Sequence, residues 1–157
     1  MTDLNKQSEA FMSPVTLWRF SCAAHRKKIP LVPRLLKAFI FLVYKAILPC
    51  EAEIERDLNL EHYGLGVVIH PNVTIGHHVR IYHNVTLAAE TWIGSPHRIL
   101  IGNNVTIGAG AMVLARPNQS LTIGDGAYVG AGSVVTRDVP AGQTVVGVPA
   151  RPLKPER

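Results

Sequence analysis

The chain has 157 residues, a formal net charge of +5 and a pI near 9.5, a size that suits one compact domain with an attached element rather than two independent cores. That moderate basicity suits an anionic ligand or a membrane surface, and the lack of any Lys/Arg run interleaved with aromatics argues against nucleic acid. Aromatics make up only 6% of the residues while Val, Ile, Ala and Gly are abundant, as expected where thin aliphatic layers replace a bulky core.

The N-terminal MTDLNKQSEA is polar and lacks the charged-then-apolar order of a signal peptide. Cys22 and Cys50 lie far apart without metal-type spacing, which fits two buried thiols in a reducing compartment. Residues 1–13 read as a weakly helical arm. Ser13 and Pro14 make a good helix start, with Ser as cap and Pro in the first turn. The helix beginning there should place Leu17, Phe20, Ala24 and Trp18 on one side. Pro30 and Pro33 break it, and a second helix is expected from about Arg34 to Ile47, with an apolar face wide enough to be buried on both sides. Lys37 and Lys45 interrupt its most apolar stretch, Leu35 to Leu48, which is too short to span a bilayer easily. A cytoplasmic protein is expected, with membrane-surface contact left open.

From Ile54 the chain keeps a six-residue beat. Openers at Ile54, Leu60, Ile69, Ile75, Ile81, Leu87, Ile93, Ile101, Ile107, Val113, Ile123, Val129 and Val135 give thirteen units. A period of six marks a solenoid of short strands separated by corners, whose units must stack to bury their apolar faces. The two helices are expected to cap its open end. Three intervals are long: nine residues from Leu60, eight from Ile93 and ten from Val113. Extra residues in a solenoid are extruded as corner loops. The organisation expected is a helical segment over 1–49, a β-helix over 50–140 and an extended tail over 141–157 that runs back along the outside.

Three units per coil make a triangular prism with coils about 4.8 Å apart. Every third opener then puts Leu60, Ile81, Ile101 and Ile123 on one face, and His62, His83, Asn103 and Asp125 in one edge column. The same count puts Ala89, Ala109 and Ala131 in a second column of methyl groups. That strip either lets a slender ligand lie close to the backbone or meets a demand for small residues at tight corners.

The hexapeptide ladder, IGAGA (107–111), VGAGSVVTRDVP (129–140) and VVGVPARPLK (145–154) resemble the left-handed parallel β-helix acyltransferases. LEHYGLGVVIHPNVTIG (60–76) and VRIYHNVTL (79–87) are similar to the catalytic coil of the serine acetyltransferase branch and the coil after it, and WRFSCAAHRKKIPLVPRLLK (18–37) resembles the helices preceding it in short members. The resemblance covers about residues 14–155. It implies a mainly β fold with a short helical segment, and acetyl transfer from acetyl-CoA to a hydroxyl in a site between subunits of a homotrimer. No metal is needed, because a base and oxyanion donors suffice for thioester chemistry.

His62, preceded by Glu61, matches the family's essential histidine. An imidazole of pKa about 6.5 can take the hydroxyl proton during attack on a thioester. His83, one coil away, is the other candidate base or a binder of the acceptor. His97, in the SPHRIL loop, resembles a second family histidine that contacts the acceptor. The usual Arg before it is Pro96 here, and Arg98 comes after it. The acidic residue that supports the family's base is replaced by Ile47, with Glu51 or Glu53 as the nearest carboxylates. The acidic residue that longer members' helical domain supplies to the acceptor is also missing. These departures leave L-serine and a sugar hydroxyl, such as one on a surface-polysaccharide precursor, both open as acceptors. For the donor, the resemblance implies Ala89, Ala109 and Ala131 beside CoA, with Arg151 and Lys154 at its phosphates. The alternatives are an N-acetyltransferase of an amino-sugar and a non-catalytic β-helix scaffold, which has no reason to keep a His in this context.

Overall fold

In the computed structural model, residues 13–153 are described. Lys154 and the arm over 1–12 lie outside that range. Two helices lead. Helix α1, Pro14–Arg26, starts as its residues dictate: the Ser13 side chain accepts from the Thr16 N–H at 3.2 Å, and Pro14 occupies the first turn. Its buried side includes Trp18, Cys22 and Ala24, while Phe20, expected inward, is 63% exposed. The Trp18 indole donates to the Pro49 carbonyl at 2.7 Å, so α1 covers the first coil.

Helix α2 spans Val32–Tyr44 and ends on Lys45 in the left-handed conformation, short of the expected Ile47. It is not buried on both sides. Only Pro33 and Ile40 are fully covered, because α2 packs mainly along α1 and meets the solenoid core through Ile40 and Tyr44. Ile47 instead forms a parallel bridge with Val68, so the winding starts one rung earlier than Ile54.

The rest winds into three sheets that form the sides of a prism. The first holds β1 (Glu53–Ile54), β4 (Val73–Ile75), β7 (Ile99–Ile101) and β10 (Leu121–Ile123). The second holds β2 (Asn59–Leu60), β5 (Arg80–Ile81), β8 (Thr106–Ile107), β11 (Tyr128–Val129), β13 (Thr144–Val146) and β14 (Arg151–Pro152). The third holds β3 (Val68–Ile69), β6 (Thr86–Ala89), β9 (Met112–Ala115) and β12 (Val134–Val135). Every pairing is parallel except β13 with β14.

Register decides which residues share an edge. Leu60 pairs with Ile81, Ile81 with Ile107, and Ile107 with Val129. Ile75, Ile101 and Ile123 stack on the first sheet, and Ile69, Leu87, Val113 and Val135 on the third. Each of these stacked side chains is buried, and each contributes roughly 1.5–3 kcal/mol by leaving water. The hexapeptide count goes wrong at Ile93. That residue is 61% exposed in a loop between β6 and β7, so it is not a rung, and every later unit shifts by one face. Asn103 and Asp125 therefore do not share a column with His62. Nor does the winding stop at Val139: β13 adds a parallel strand to β11, and only then does β14 turn back.

Six corners turn on one left-handed residue three places after the opener: His78, Asn84, Asn104, Gly110, Gly126 and Gly132. Asn and Gly dominate because they tolerate that conformation best. The corner after Leu60 breaks this rule, with three left-handed residues in a row: His62, Tyr63 and Gly64.

Candidate active site

The irregular corner lies between the second and third sheets. The extra residues after Leu60 fold into a 3-10 turn, Glu61–Gly64, closed by the Leu65 N–H donating to the His62 carbonyl at 3.2 Å. This turn holds the His62 imidazole outward, above the next coil. There His83 meets it edge to face, with ring centroids 5.0 Å apart, and Tyr82 lies 6.1 Å from His62. His83 is half-buried, and its Nδ1 is buried with no hydrogen-bond partner among the described residues. Below the two histidines the same corner continues as Ala109 and Ala131. The Gly110 N–H donates to the His83 carbonyl at 3.0 Å, and the Gly132 N–H to the Ala109 carbonyl at 2.8 Å. One edge therefore reads His62, His83, Ala109, Ala131.

Of the two columns expected from sequence, His62, His83, Ala109 and Ala131 form one, while Asn103, Asp125 and Ala89 stand elsewhere. Ala89 is only 8% exposed and pairs with Ala115 at the far end of the third sheet. It does not line up with Ala109 and Ala131, because the miscounted Ile93 loop lies between them.

Glu61 does not face His62. Its Oε1 accepts from Asn59 Nδ2 at 2.8 Å and from Arg80 Nε and Nη2 at 3.1 and 3.0 Å. The Glu61 hydrogen bond in turn raises the Arg80 pKa above its already high value. Glu61 therefore braces the start of the turn. Asn59 and Arg80 carried no signal beyond lying next to the beat. Glu53 is also engaged elsewhere, meeting Arg98 Nη2 at 3.2 Å and Thr74 at 3.1 Å on the first sheet.

His97 and Arg98 sit on the opposite corner, between the third and first sheets. Asn72, only 2% exposed, organises that loop. Its Nδ2 donates to the carbonyls of Trp92 and His97, at 2.8 and 3.3 Å, and its Oδ1 accepts from the Gly94 N–H at 2.8 Å. Nδ1 of His70 accepts from the Asn72 N–H at 3.0 Å, and burial lowers the His70 pKa. Within one subunit, then, His97 and Arg98 are not brought to His62. Arg151 lies exposed on β14, its Nη1 donating to the Ala150 carbonyl at 2.9 Å.

Two hollows border His62 and Tyr63. One of about 510 Å³ is lined by polar and cationic groups, among them Ser13, Thr16, Arg19, Arg56 and Asn59. The other, about 330 Å³ and mostly apolar, lies against Val43, Tyr44 and Leu65, with the Tyr44 ring stacked on Tyr63 at 6.4 Å. Tyr63 was missed in the sequence, although it sits in the LEHYGLG phrase beside His62. Among the described residues no group of three or more His, Cys, Asp or Glu could hold a metal. The Cys22 thiol is pushed up to about 12, mainly by burial, and burial also raises Cys50, so neither offers a ready thiolate nucleophile at neutral pH.

A three-sheet parallel β-solenoid built on six-residue units places the chain in the hexapeptide-repeat class. No family model matches the chain. It is 34% identical over 140 residues to serine acetyltransferase of Helicobacter pylori, covering 89% of this chain and 79% of the relative. To serine acetyltransferase of Synechococcus elongatus it is 36% identical over 127 residues, covering 81% of this chain and 50% of the relative. The soybean serine acetyltransferase apoenzyme superposes with a TM-score of 0.80 at 35% identity, over 89% of this chain and 56% of that one. The Brucella abortus enzyme in complex with coenzyme A gives 0.80 at 26% identity, over 88% and 54%. The chain thus belongs to the serine acetyltransferase-like family. It spans about half the length of the cyanobacterial relative and of these two solved chains.

Proposed function

We propose that this chain transfers an acetyl group from acetyl-CoA to a hydroxyl, with His62 as general base. The observation that carries the reading is the shared edge, on which two imidazoles stand directly above a strip of methyl groups. The names of the relatives support acetyl transfer to serine, and the coenzyme A complex of the Brucella abortus relative supports the donor. His62 takes the acceptor hydroxyl proton as its oxygen attacks the thioester carbonyl. The tetrahedral intermediate then collapses, the C–S bond breaks, and the imidazolium returns the proton to the departing CoA thiolate. His83, edge-on to His62, positions that ring. Ala109 and Ala131 let CoA lie along the edge, and Arg151 and Lys154 meet its phosphates.

A homotrimer fits the placement of the remaining residues. His97 and Arg98 occupy the corner across the prism from His62, so a site that uses both corners is completed by a neighbouring subunit.

Serine is the leading acceptor. A sugar hydroxyl is the second reading, favoured by Ile47: the place of the family's supporting carboxylate is a backbone bridge to Val68, and the nearby acids Glu53 and Glu61 are bonded elsewhere. The test is an acceptor screen following CoA release, with wild type beside His62→Ala and His83→Ala. Loss of turnover in the His62 variant alone supports the assignment. Loss in the His83 variant with full rate in the other moves the base one coil down. No turnover with any hydroxyl or amine, together with no acetyl-CoA binding, leaves a scaffold.

A further inference from the structure

The helical pair carries the chain's entire positive excess. Residues 13–50 contain seven Lys and Arg and no Asp or Glu, whereas residues 51–157 contain eight basic and nine acidic residues. The same segment exposes unusual apolar area. On α2, Leu35 is 67% exposed, Leu42 66% and Phe41 49%, and Phe39 adds a further 40%. With about 3.6 residues per turn, Leu35, Phe39 and Leu42 share the side of α2 away from buried Ile40, while Arg34, Lys37 and Lys45 follow one flank. Lys45 Nζ stands 6.0 Å over the Phe41 ring. Between Arg34 and Lys37 on one side and Ala46 and Ile47 on the other lies a hollow of about 430 Å³ whose floor is nearly all apolar.

We propose that α2 docks in the plane of an anionic phospholipid surface, with its leucines and phenylalanines entering the acyl boundary and its cationic flank holding the phosphates. At 13 residues α2 is about 20 Å long, and among the described residues no helix is long and apolar enough to cross a membrane. An amphipathic helix with a cationic border lies in the interface instead. A second copy meeting α2 face to face is a poorer occupant: that pairing would bring the two cationic flanks together, with no acid on residues 13–50 to offset them. The apolar hollow beside His62 is also lined by Val43 and Tyr44 at the end of this helix, so docking would bring the His62 end of the prism close to the lipid.

The test is co-sedimentation of the full chain with vesicles of phosphatidylcholine alone and of phosphatidylcholine mixed with phosphatidylglycerol. Binding to the anionic vesicles should be at least about tenfold stronger and should weaken as salt is added. The exposed double variants Leu35→Glu/Leu42→Glu and Arg34→Glu/Lys37→Glu should each lose that binding while keeping the wild-type helicity and melting temperature. CoA release with a soluble acceptor, followed in the same preparations, reports the proposed chemistry separately from docking. Equal binding to both vesicle types, or none to either, overturns the proposal. Dissociation of a larger assembly by Leu35→Glu/Leu42→Glu, without vesicle binding by wild type, assigns the face to a second copy.

Discussion

One edge of the prism is built in two ways. Its lower half, at Ala109 and Ala131, follows the hexapeptide rule: one left-handed glycine per corner, a methyl side chain, and backbone packed against the next coil. Its upper half, at His62, spends three more residues and puts two consecutive non-glycine residues, His62 and Tyr63, in the left-handed region. Such backbone costs on the order of 1–3 kcal/mol per residue and persists only where its surroundings hold it. Here Arg80 on Glu61 and Tyr44 on Tyr63 do so. Regular corners give stability and a smooth strip, and the irregular corner holds an imidazole outward over the next coil.

The sharpest way to break that contrast is at its top. His62→Ala should lower kcat by about 10²–10⁴, the usual contribution of a general base, with acetyl-CoA affinity by calorimetry little changed. His83→Ala should cost about tenfold, since it acts through the neighbouring ring.

At the lower half the sensitivity should be to bulk and should read out as stability. A Cβ on Gly108 would lie 2.6 Å from the Ala131 backbone nitrogen, which cannot move aside cheaply. Gly108→Ala should therefore destabilise by roughly 1–3 kcal/mol in denaturant unfolding. Ala109→Leu, half-exposed on the same edge, should instead raise KM for acetyl-CoA by about tenfold, or about 1.4 kcal/mol, with kcat nearly intact. An unchanged KM would remove CoA from the methyl strip.

The smallest effect concerns the opposite corner. Burial keeps the His70 pKa below its ordinary value, so from pH about 6.5 downward the unfolded chain binds a proton that the folded chain refuses. The stability His70 contributes is thus present above that pH and is lost as pH falls through its lowered folded value. Melting curves from pH about 7.5 to about 5 should show this loss, and His70→Asn should flatten it.

The solenoid was legible because a period of six survives any local variation, and because Ile, Leu and Val recur wherever a rung must be buried. The register was not, because Ile93 carries an aliphatic opener and a following glycine yet sits in an extruded loop. Spacing alone cannot separate a rung from a loop residue of the same type. His62 stood out through its motif. Its placement over Ala109 and Ala131 did not, since that depends on the register. The helical segment misled for a related reason: an apolar run reads as buried, but burial needs a neighbour, and α2 packs along α1 and meets the solenoid through Ile40 and Tyr44, which leaves its outer face uncovered.

The final strand settles how the winding ends. A parallel solenoid has an open edge at each end, and such an edge is a template for a second solenoid to continue the stack. Helix α1 covers the first coil. At the far end β14 pairs antiparallel with β13, placing Pro152 opposite Val145 and the exposed Arg151 opposite Val146. Proline offers no N–H to a newcomer, and the guanidinium resists a close apolar approach. Two residues against the last rung thus blunt the open edge of the second sheet, one side of a modular and in principle endless architecture.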